Sequence, residues 1–237
     1  MIKFFRQLRS DLIGKNKTGR YLKYAIGEIV LVVIGILIAL SINNWNEKRK
    51  AKKFEHKLLE DINNSMGNNF FQLDLCFASN DKSIESVDII LAYLDSDLPY
   101  HDSLDYHFSK SIEWCSPVFE NSGYETLKTY GRNLISNDTI RDALGIYDAG
   151  WMETLGQRQE DYFFQTVSPA LIGMFDKVAM RTEMKPFDYK ALKSSKTYRS
   201  ILKSSKAYRE DQKYWYLEWQ GNLRYTSNMI NKELGKE

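Results

Sequence analysis

Histidine and cysteine are scarce in this chain of 237 residues, and their few positions are scattered. The histidines, His56, His101 and His107, form no HExxH motif, and Cys76 and Cys115 form no CxxC pair. Structural and catalytic zinc sites need such clusters, so the sequence predicts no metal centre and no other cofactor. The two cysteines would form a disulfide outside the cytoplasm or remain reduced core thiols inside it, and their spacing leaves both interpretations open.

Proline and glycine are also sparse, with four prolines and thirteen glycines in the chain. Folds made of strands and turns use these residues at their turns, so this composition favours helices. No glycine-rich phosphate loop, dinucleotide fingerprint or kinase motif is present. The acidic residues Asp95, Asp97, Asp102 and Asp105 lie in a polar, turn-rich region without catalytic spacing, and we expect them on the solvated surface. The sequence therefore predicts that the protein is not an enzyme.

The net charge of +2 conceals a strong segregation of charge along the chain. Residues 1–53 carry a net charge of +9, residues 54–184 carry −13, and residues 185–237 carry +6. A basic C-terminal region is compatible with a nucleic-acid patch, but it is also what a helix packed against the acidic middle would show. We expect the second arrangement and no nucleic-acid partner.

One long apolar run occurs near the beginning, YAIGEIVLVVIGILIALSI, residues 24–42. Nineteen helical residues measure about 28 Å, which matches the hydrocarbon core of a bilayer. Tyr21 and Tyr24 lie at the start of the run and Trp45 follows its end, as aromatic anchors do at membrane interfaces. Basic residues that would face lipid headgroups flank the run: Lys3, Arg6, Arg9, Arg20, Lys23, Lys48, Arg49 and Lys50. The sequence predicts a transmembrane helix over residues 21–45, with membrane lipid as a partner.

Cleavage of this run as an export signal is the competing interpretation, because Ala39-Leu40-Ser41 satisfies the small-x-small rule. No turn-forming residue follows, however, and apolar residues continue at helical spacing, so we predict a retained signal anchor. Seven Lys or Arg precede the span and five follow it closely. The positive-inside rule then places the N-terminus in the cytoplasm and the following domain in the periplasm of a bacterial inner membrane.

Residues 1–20 predict a basic amphipathic segment that lies in the membrane interface. Phe5, Leu8 and Leu12 recur at i, i+3 and i+7, whereas the basic residues lie elsewhere on the helical turn. Such a pattern is typical of helices that rest on a bilayer.

Glu28 interrupts the apolar run close to its start. An intramembrane carboxylate indicates a functional site, for example in proton handling or in a helix–helix contact. The alternative is that Glu28 lies at headgroup depth and pairs with Lys23 or Arg20. The position of the residue in the sequence is compatible with both.

Small residues in the span predict close approach of a second helix. Gly35 and Ala39 form a small-xxx-small pair, and Gly27 lies two turns earlier on nearly the same side. In membranes such residues let helix backbones come together. We therefore expect an oligomer, formed by self-association or with other membrane proteins.

Two stretches carry a family resemblance. YAIGEIVLVVIGILIALSINNWNE, residues 24–47, preceded by the basic start MIKFFR, resembles the signature of a family of uncharacterised membrane proteins common in Bacteroidota, a family built on a domain of unknown function. SGYETLKTYGRNLISNDTIRDAL, residues 122–144, is similar to a second segment of that family. The resemblance implies a single-span membrane protein with a helical domain and no established activity, and it supplies no catalytic residues.

Residues 46–237 predict a helical soluble domain. Apolar residues follow helical spacing over residues 54–94 and 104–114, Gly131 ends a short helix, and Asn137 or Asp138 caps a helix that runs towards Pro169. A final helix is expected over residues 206–234. The repeated sequences LKSSKTYR and LKSSKAYR, residues 192–199 and 202–209, would each cap a helix start with a serine. We therefore expect an all-α protein whose transmembrane helix continues into an antiparallel bundle.

On these grounds the sequence predicts a single-pass, membrane-anchored helical interaction or scaffold protein. The alternative is an extracytoplasmic helical sensor or ligand-binding module that acts through a membrane partner, because bundles bind ligands between their helices.

Overall fold

The computed structural model describes residues 18–146 and 150–236. Its helices are α1 Thr18–Asp95, α2 Ser103–Ser111, α3 Ser122–Tyr130, α4 Asp138–Ile146, α5 Gly150–Tyr162, α6 Ser168–Ile172, α7 Tyr189–Ser194 and α8 Lys196–Glu233. The described residues contain no β-strand, only an isolated antiparallel bridge between Phe175 and Pro186. The predicted all-α architecture is confirmed. The predicted amphipathic segment, with Lys3, Arg6 and Arg9, lies outside the described residues up to residue 17.

The chain divides into two compact units, Met1–Glu55 and His56–Glu237, and α1 contributes to both. In the first unit α1 carries the predicted span, and its apolar side chains are exposed, Leu31 to 69% and Ile29 to 63%. Gly67, in the second unit, does not end the helix, since the hydrogen-bonded turns continue through it to Asp95.

The unit His56–Glu237 is organised by the C-terminal half of α1 and by α8, which run antiparallel. On α1 the predicted apolar stripe is buried at Leu58, Ile62, Met66 and Leu73, and half-buried at Phe70 and Phe77. On α8 the buried positions recur every three or four residues from Tyr198 to Ile230. Because this spacing keeps one side of each helix inward, the two helices share two hydrophobic clusters, one that includes Leu58 to Cys76 of α1 and one that includes Val87 to Leu94.

A ladder of polar pairs follows one edge of the α1–α8 contact. The acidic members of α1 are spaced by seven residues, and so are their partners on α8. The pairs are Asp74 with Gln220 at 2.9 Å, Asp81 with Lys213, Asp88 with Lys206 at 2.6 Å, and Asp95 with Arg199 at 2.5 Å. A seven-residue repeat keeps the pairs on one seam of two antiparallel helices. The prediction that the basic C-terminal region is offset by the acidic middle is confirmed for these three ion pairs.

We expect each ion pair of the ladder to stabilise the fold only slightly, because the lysine and arginine side chains are about 30% exposed and their aspartates more than half exposed. A double-mutant cycle with Asp88→Ala and Lys206→Ala should give a coupling free energy of about 0.5 kcal/mol in urea unfolding. The coupling should fall in high salt. A salt-independent coupling would contradict a solvated ion pair.

The shorter helices follow the predicted local signals in most places. Gly131 ends α3, and its N–H donates to the carbonyl oxygen of Leu127 at 2.9 Å. Its φ of 95° is a backbone angle that glycine adopts freely and other residues rarely do. The side chain of Asn137 accepts from the N–H groups of Thr139 and Ile140 at 3.1 and 3.3 Å, which makes Asn137 the cap of α4. The helix predicted to run towards Pro169 is divided in the structure. It begins as α4, and α5 then leads through a π-helical turn, Phe163–Val167, into α6, which contains Pro169.

The serine repeat behaves differently in its two copies. Ser195 caps α8 by accepting from the N–H of Tyr198 at 3.1 Å, so α8 begins ten residues earlier than predicted. Ser205, in the second copy, lies inside α8 and is buried to 5% exposure. The prediction of a second cap was wrong. α8 is continuous through Ser205, and this turn is packed in the core, so no new helix begins there.

Candidate functional site

The residues predicted to pack a second span lie on open helix surface. A methyl group placed on Gly27 or Gly35 would meet nothing within 4 Å, and Ala39 is exposed. Glu28 is half-exposed and takes part in an interaction within the chain. At 100° per residue, Glu28 lies within about 20° of Gly35 around the helix axis. Glu28, Gly35 and Ala39 therefore share one side of the span, and Gly27 lies about 80° from Gly35 around the axis.

The predicted interface anchors are also exposed. Tyr24 and Trp45 are 60% and 64% exposed, and the guanidinium of Arg49 lies 5.4 Å from the centre of the Trp45 ring. Lys50 pairs with Glu47 at 3.0 Å, and Lys23 and Lys48 are exposed. Arg20 and Tyr21 belong to α1, but their side chains are outside the described part of the chain. Among the described residues, one helix is long and apolar enough to cross a membrane, and none of its apolar window is buried.

Cys76 and Cys115 form a disulfide, with their Cα atoms 5.1 Å apart. This decides between the two interpretations that the sequence left open. Cys76 lies in the core face of α1, and Cys115 lies in the irregular segment 113–121 between α2 and α3. The bond therefore ties this segment to α1.

The segment 113–121 is held at further points. The buried side chain of Asn69 donates to the carbonyl of Glu120 at 3.0 Å and accepts from the N–H of Glu120 at 2.8 Å. The hydroxyl of Tyr216 on α8 donates to the carbonyl of Cys115 at 3.0 Å. A loop with so many buried attachments is a fixed part of the domain.

The acidic residues expected on the solvated surface differ in their surroundings. Asp97 and Asp102 are exposed, but Asp105 is only 2% exposed, so this part of the prediction was wrong. Asp105 accepts a hydrogen bond from the hydroxyl of Tyr100, and Lys185 Nζ lies 3.8 Å from its carboxylate. Burial, reinforced by the bond to Asp105, raises the pKa of Tyr100 well above its usual value. With these partners Asp105 has a structural role, because it links Tyr100 and Lys185 to α2.

Ser86 and His107 form a hydrogen bond of 3.1 Å between Oγ and Nδ1, a pairing that hydrolases use for a nucleophile and its base. Ser86 is 2% exposed in the middle of α1, however, so a substrate could not reach Oγ without opening the core. Burial lowers the pKa of His107, which keeps the ring neutral at pH 7. We interpret the pair as a link between α1 and α2. No group of three metal-binding side chains occurs among the residues that the structure describes.

A cleft of about 370 Å³ lies between α5 and α8 and is lined by Leu155, Arg158, Gln159, Tyr162, Tyr208, Asp211 and Gln212. A recess of about 20 Å³ adjoins it, because the two share Gln159, Tyr162 and Tyr208. Arg209, Trp114 and Phe163 also line the recess. We call the cleft and its recess together the Arg209 cleft.

Arg209 is 3% exposed, and burial lowers its pKa to about 10, so the guanidinium remains charged at pH 7. Its Nε and Nη2 both donate to the carbonyl of Glu113, at 2.8 and 2.6 Å, and Nη1 donates to the carbonyl of Ser205 at 2.5 Å. Within the described chain no carboxylate lies within 4 Å of it. The nearby carboxylate of Glu113 is already held by Lys110 at 2.7 Å and by Arg181 at 3.7 Å.

The Arg209 cleft was not predicted from the sequence. One signal was available, since Tyr208, Arg209 and Gln212 lie at i, i+1 and i+4 beside a predicted helix stripe. Arginine and glutamine at such positions normally face solvent, and they are buried here because α1, α5 and the segment 113–121 pack around them.

Residues 28–129 match a protein family described as Family of unknown function (DUF6090). The match begins at Glu28 in the span and ends in α3, and it includes both cysteines of the disulfide but less than half of the chain. The chain is thus similar to that family over α1, α2 and most of α3, whereas α5 and α8 lie outside the matched range. No curated protein and no solved structure matches the chain.

Proposed function

We propose that this protein is a single-pass, membrane-anchored interaction protein whose helical domain binds other proteins or further copies of itself, without catalysis. The observation that carries the proposal is the apolar window of α1, which has no buried residue and is therefore left for lipid or another span to cover. The similarity to a family of unknown function over residues 28–129 is compatible with this role.

The domain that follows the span belongs in an oxidising compartment. Disulfides persist outside the cytoplasm and are rare inside it, so the bond between Cys76 and Cys115 favours an extracytoplasmic position. The excess of basic residues before the span favours the same orientation, with α1 as an uncleaved signal anchor. The resemblance of residues 24–47 and 122–144 to Bacteroidota membrane proteins supports a bacterial inner membrane as the location.

The domain itself offers apolar side chains to a partner. On α8, Tyr214, Leu217 and Tyr225 are 56%, 57% and 61% exposed, and on α1 Phe71 and Leu75 are 62% and 49% exposed. Exposed aromatic and aliphatic residues are the anchors that protein interfaces use most. They support an interaction role.

Self-association through the span is tested by enlarging its small residues. The variant Gly35→Leu with Ala39→Leu should reduce the cross-linked dimer of the full-length protein in membranes several-fold, because the two backbones could no longer approach. Val33→Leu, about 160° from Gly35 around the helix, adds volume on another side and should leave the dimer unchanged.

Equal cross-linking of all three proteins would contradict a dimer formed through these residues. Recovery of the untreated protein from native membranes as a monomer without partners would contradict the interaction role as a whole.

A second candidate function is ligand binding by the helical domain, as in a sensor that signals through a membrane partner. The observation that favours it is the Arg209 cleft, a concavity between two helices with a buried charge beside it.

A further inference from the structure

The two walls of the Arg209 cleft each present side chains from one helix face. On α5, Leu155, Gln159 and Tyr162 are spaced by four and three residues, and on α8 Tyr208 and Gln212 are spaced by four. Such spacing puts side chains above one another on the same side of a helix. The cleft is therefore a groove between two regular elements, and loop rearrangement is not needed to form it.

The floor of the cleft is positively charged. Arg209 lines the recess with no carboxylate of the described residues within 4 Å, because the carboxylate of Glu113 is paired with Lys110 and Arg181. At the rim Arg158 and Asp211 carry opposite charges. The arrangement therefore leaves an excess of positive charge next to the recess. In a poorly solvated site this excess favours an anion over a neutral ligand.

Hydrogen-bond donors remain available at this place. The guanidinium of Arg209 has five N–H groups, and three hydrogen bonds to described residues use only part of them. Gln212 lines the cleft, but its side-chain amide is buried and accepts from Asn80 on α1 at 3.2 Å, so the available donors at the recess are the remaining N–H groups of Arg209. Buried donors of this kind cost stability unless something accepts from them. A ligand oxygen in the recess, which has room for about one such atom, would do so.

Aromatic rings line the cleft and its recess. The rings of Tyr162 and Tyr208 are 4.9 Å apart, and those of Trp114 and Phe163 are also 4.9 Å apart. Phe163 begins the π-helical turn after α5, a feature that is frequent at functional sites. Flat apolar walls of this kind suit the face of an aromatic ring.

We propose, resting on the ligand-binding role given above as the second candidate, that the Arg209 cleft binds a small aromatic carboxylate. The carboxylate accepts from the remaining N–H groups of Arg209 in the recess, and the ring lies against Tyr162 and Tyr208. The volume of about 370 Å³ is at the lower end of the range for small-molecule sites, which limits the ligand to one or two rings.

The test is calorimetric titration of the full-length protein in lipid nanodiscs with phenylacetate and with phenylacetamide, its neutral isostere. Phenylacetate should bind with a Kd of about 1 mM or tighter, and the amide at least about tenfold more weakly. Tyr208→Ala should weaken phenylacetate binding several-fold. Tyr106→Ala, a change on α2 away from the cleft at a residue of similar exposure (50%, against 46% for Tyr208), should leave it unchanged.

The outcomes separate the ligand class from the binding role. Equal binding of the two probes, weakened by Tyr208→Ala, overturns the anionic class but leaves a ligand site. No binding of either probe overturns both. Arg209→Met should abolish the preference for the anion. If that variant does not fold, the comparison of the two probes on the unmodified protein still decides the question of charge.

Discussion

Replacing Cys76 and Cys115 with serine is expected to lower the free energy of unfolding of the helical domain by about 3–4 kcal/mol. The two cysteines are 39 residues apart, and a cross-link that closes a loop of this length removes much of the conformational freedom of the unfolded chain. The loss should appear in urea unfolding as a lower midpoint with a larger m-value, because the unfolded state becomes less compact.

The unmodified protein supplies its own control, since no described cysteine is free and the chain has only these two. In the presence of a reductant its midpoint should fall to that of the serine variant, whereas the variant should not respond to reductant at all. An unmodified protein that unfolds at the same midpoint with and without reductant would contradict the disulfide.

Gly123→Ala is expected to destabilise the domain by about 1–3 kcal/mol, as overpacking of a core does. A methyl group at Gly123 would lie 2.8 Å from Cγ1 of Ile62 and 3.0 and 3.1 Å from its backbone N and Cα. The backbone of Ile62 is inside α1 and cannot move aside, so α3 would have to shift away from α1. Thermal unfolding measures the effect directly.

Gly67→Ala is the matched control, because it is the same change in another helix where nothing lies within 4 Å. There we expect a gain of about 0.5–1 kcal/mol from the higher helix propensity of alanine. If the two substitutions shifted stability in the same direction by similar amounts, the close contact between Gly123 of α3 and Ile62 of α1 would be contradicted.

Features that depend on local periodicity could be predicted from the sequence. The apolar window of the span, the buried stripe from Leu58 to Leu73, and the ends of helices at Gly131 and Asn137 are encoded within a few turns of chain. Each of these signals acts before tertiary contacts form, so no knowledge of the partner helix is needed.

Features that depend on two distant segments could not be predicted in the same way. The spacing of Asp74, Asp81, Asp88 and Asp95 is visible in the sequence, but seven-residue spacing also fits a solvated face. Only the same spacing on α8 shows that these acids form a ladder. Similarly, the rotation of α8 is set by its contact with α1, so that Tyr216 is buried whereas its neighbour Trp215 is 36% exposed.

The buried charges of the candidate site could not be predicted either, because their partners are distant in the chain. Burial of Arg209 results from the meeting of α5, α8 and the segment 113–121, and the carbonyl of Glu113 that it binds is 96 residues away in the chain. Asp105 is buried for a comparable reason, since Tyr100 and Lys185 approach it from separate segments. A charged residue is normally predicted to be exposed, and its partners become apparent only in the folded domain.

We propose that α1 anchors the disulfide-bonded helical domain on the outer face of a bacterial inner membrane. The most direct test is proteinase K digestion of intact spheroplasts that contain the full-length protein with a C-terminal epitope. We expect the epitope to be lost while a cytoplasmic control protein remains intact. Protection of the epitope until the spheroplasts are lysed would place the domain in the cytoplasm and contradict the account.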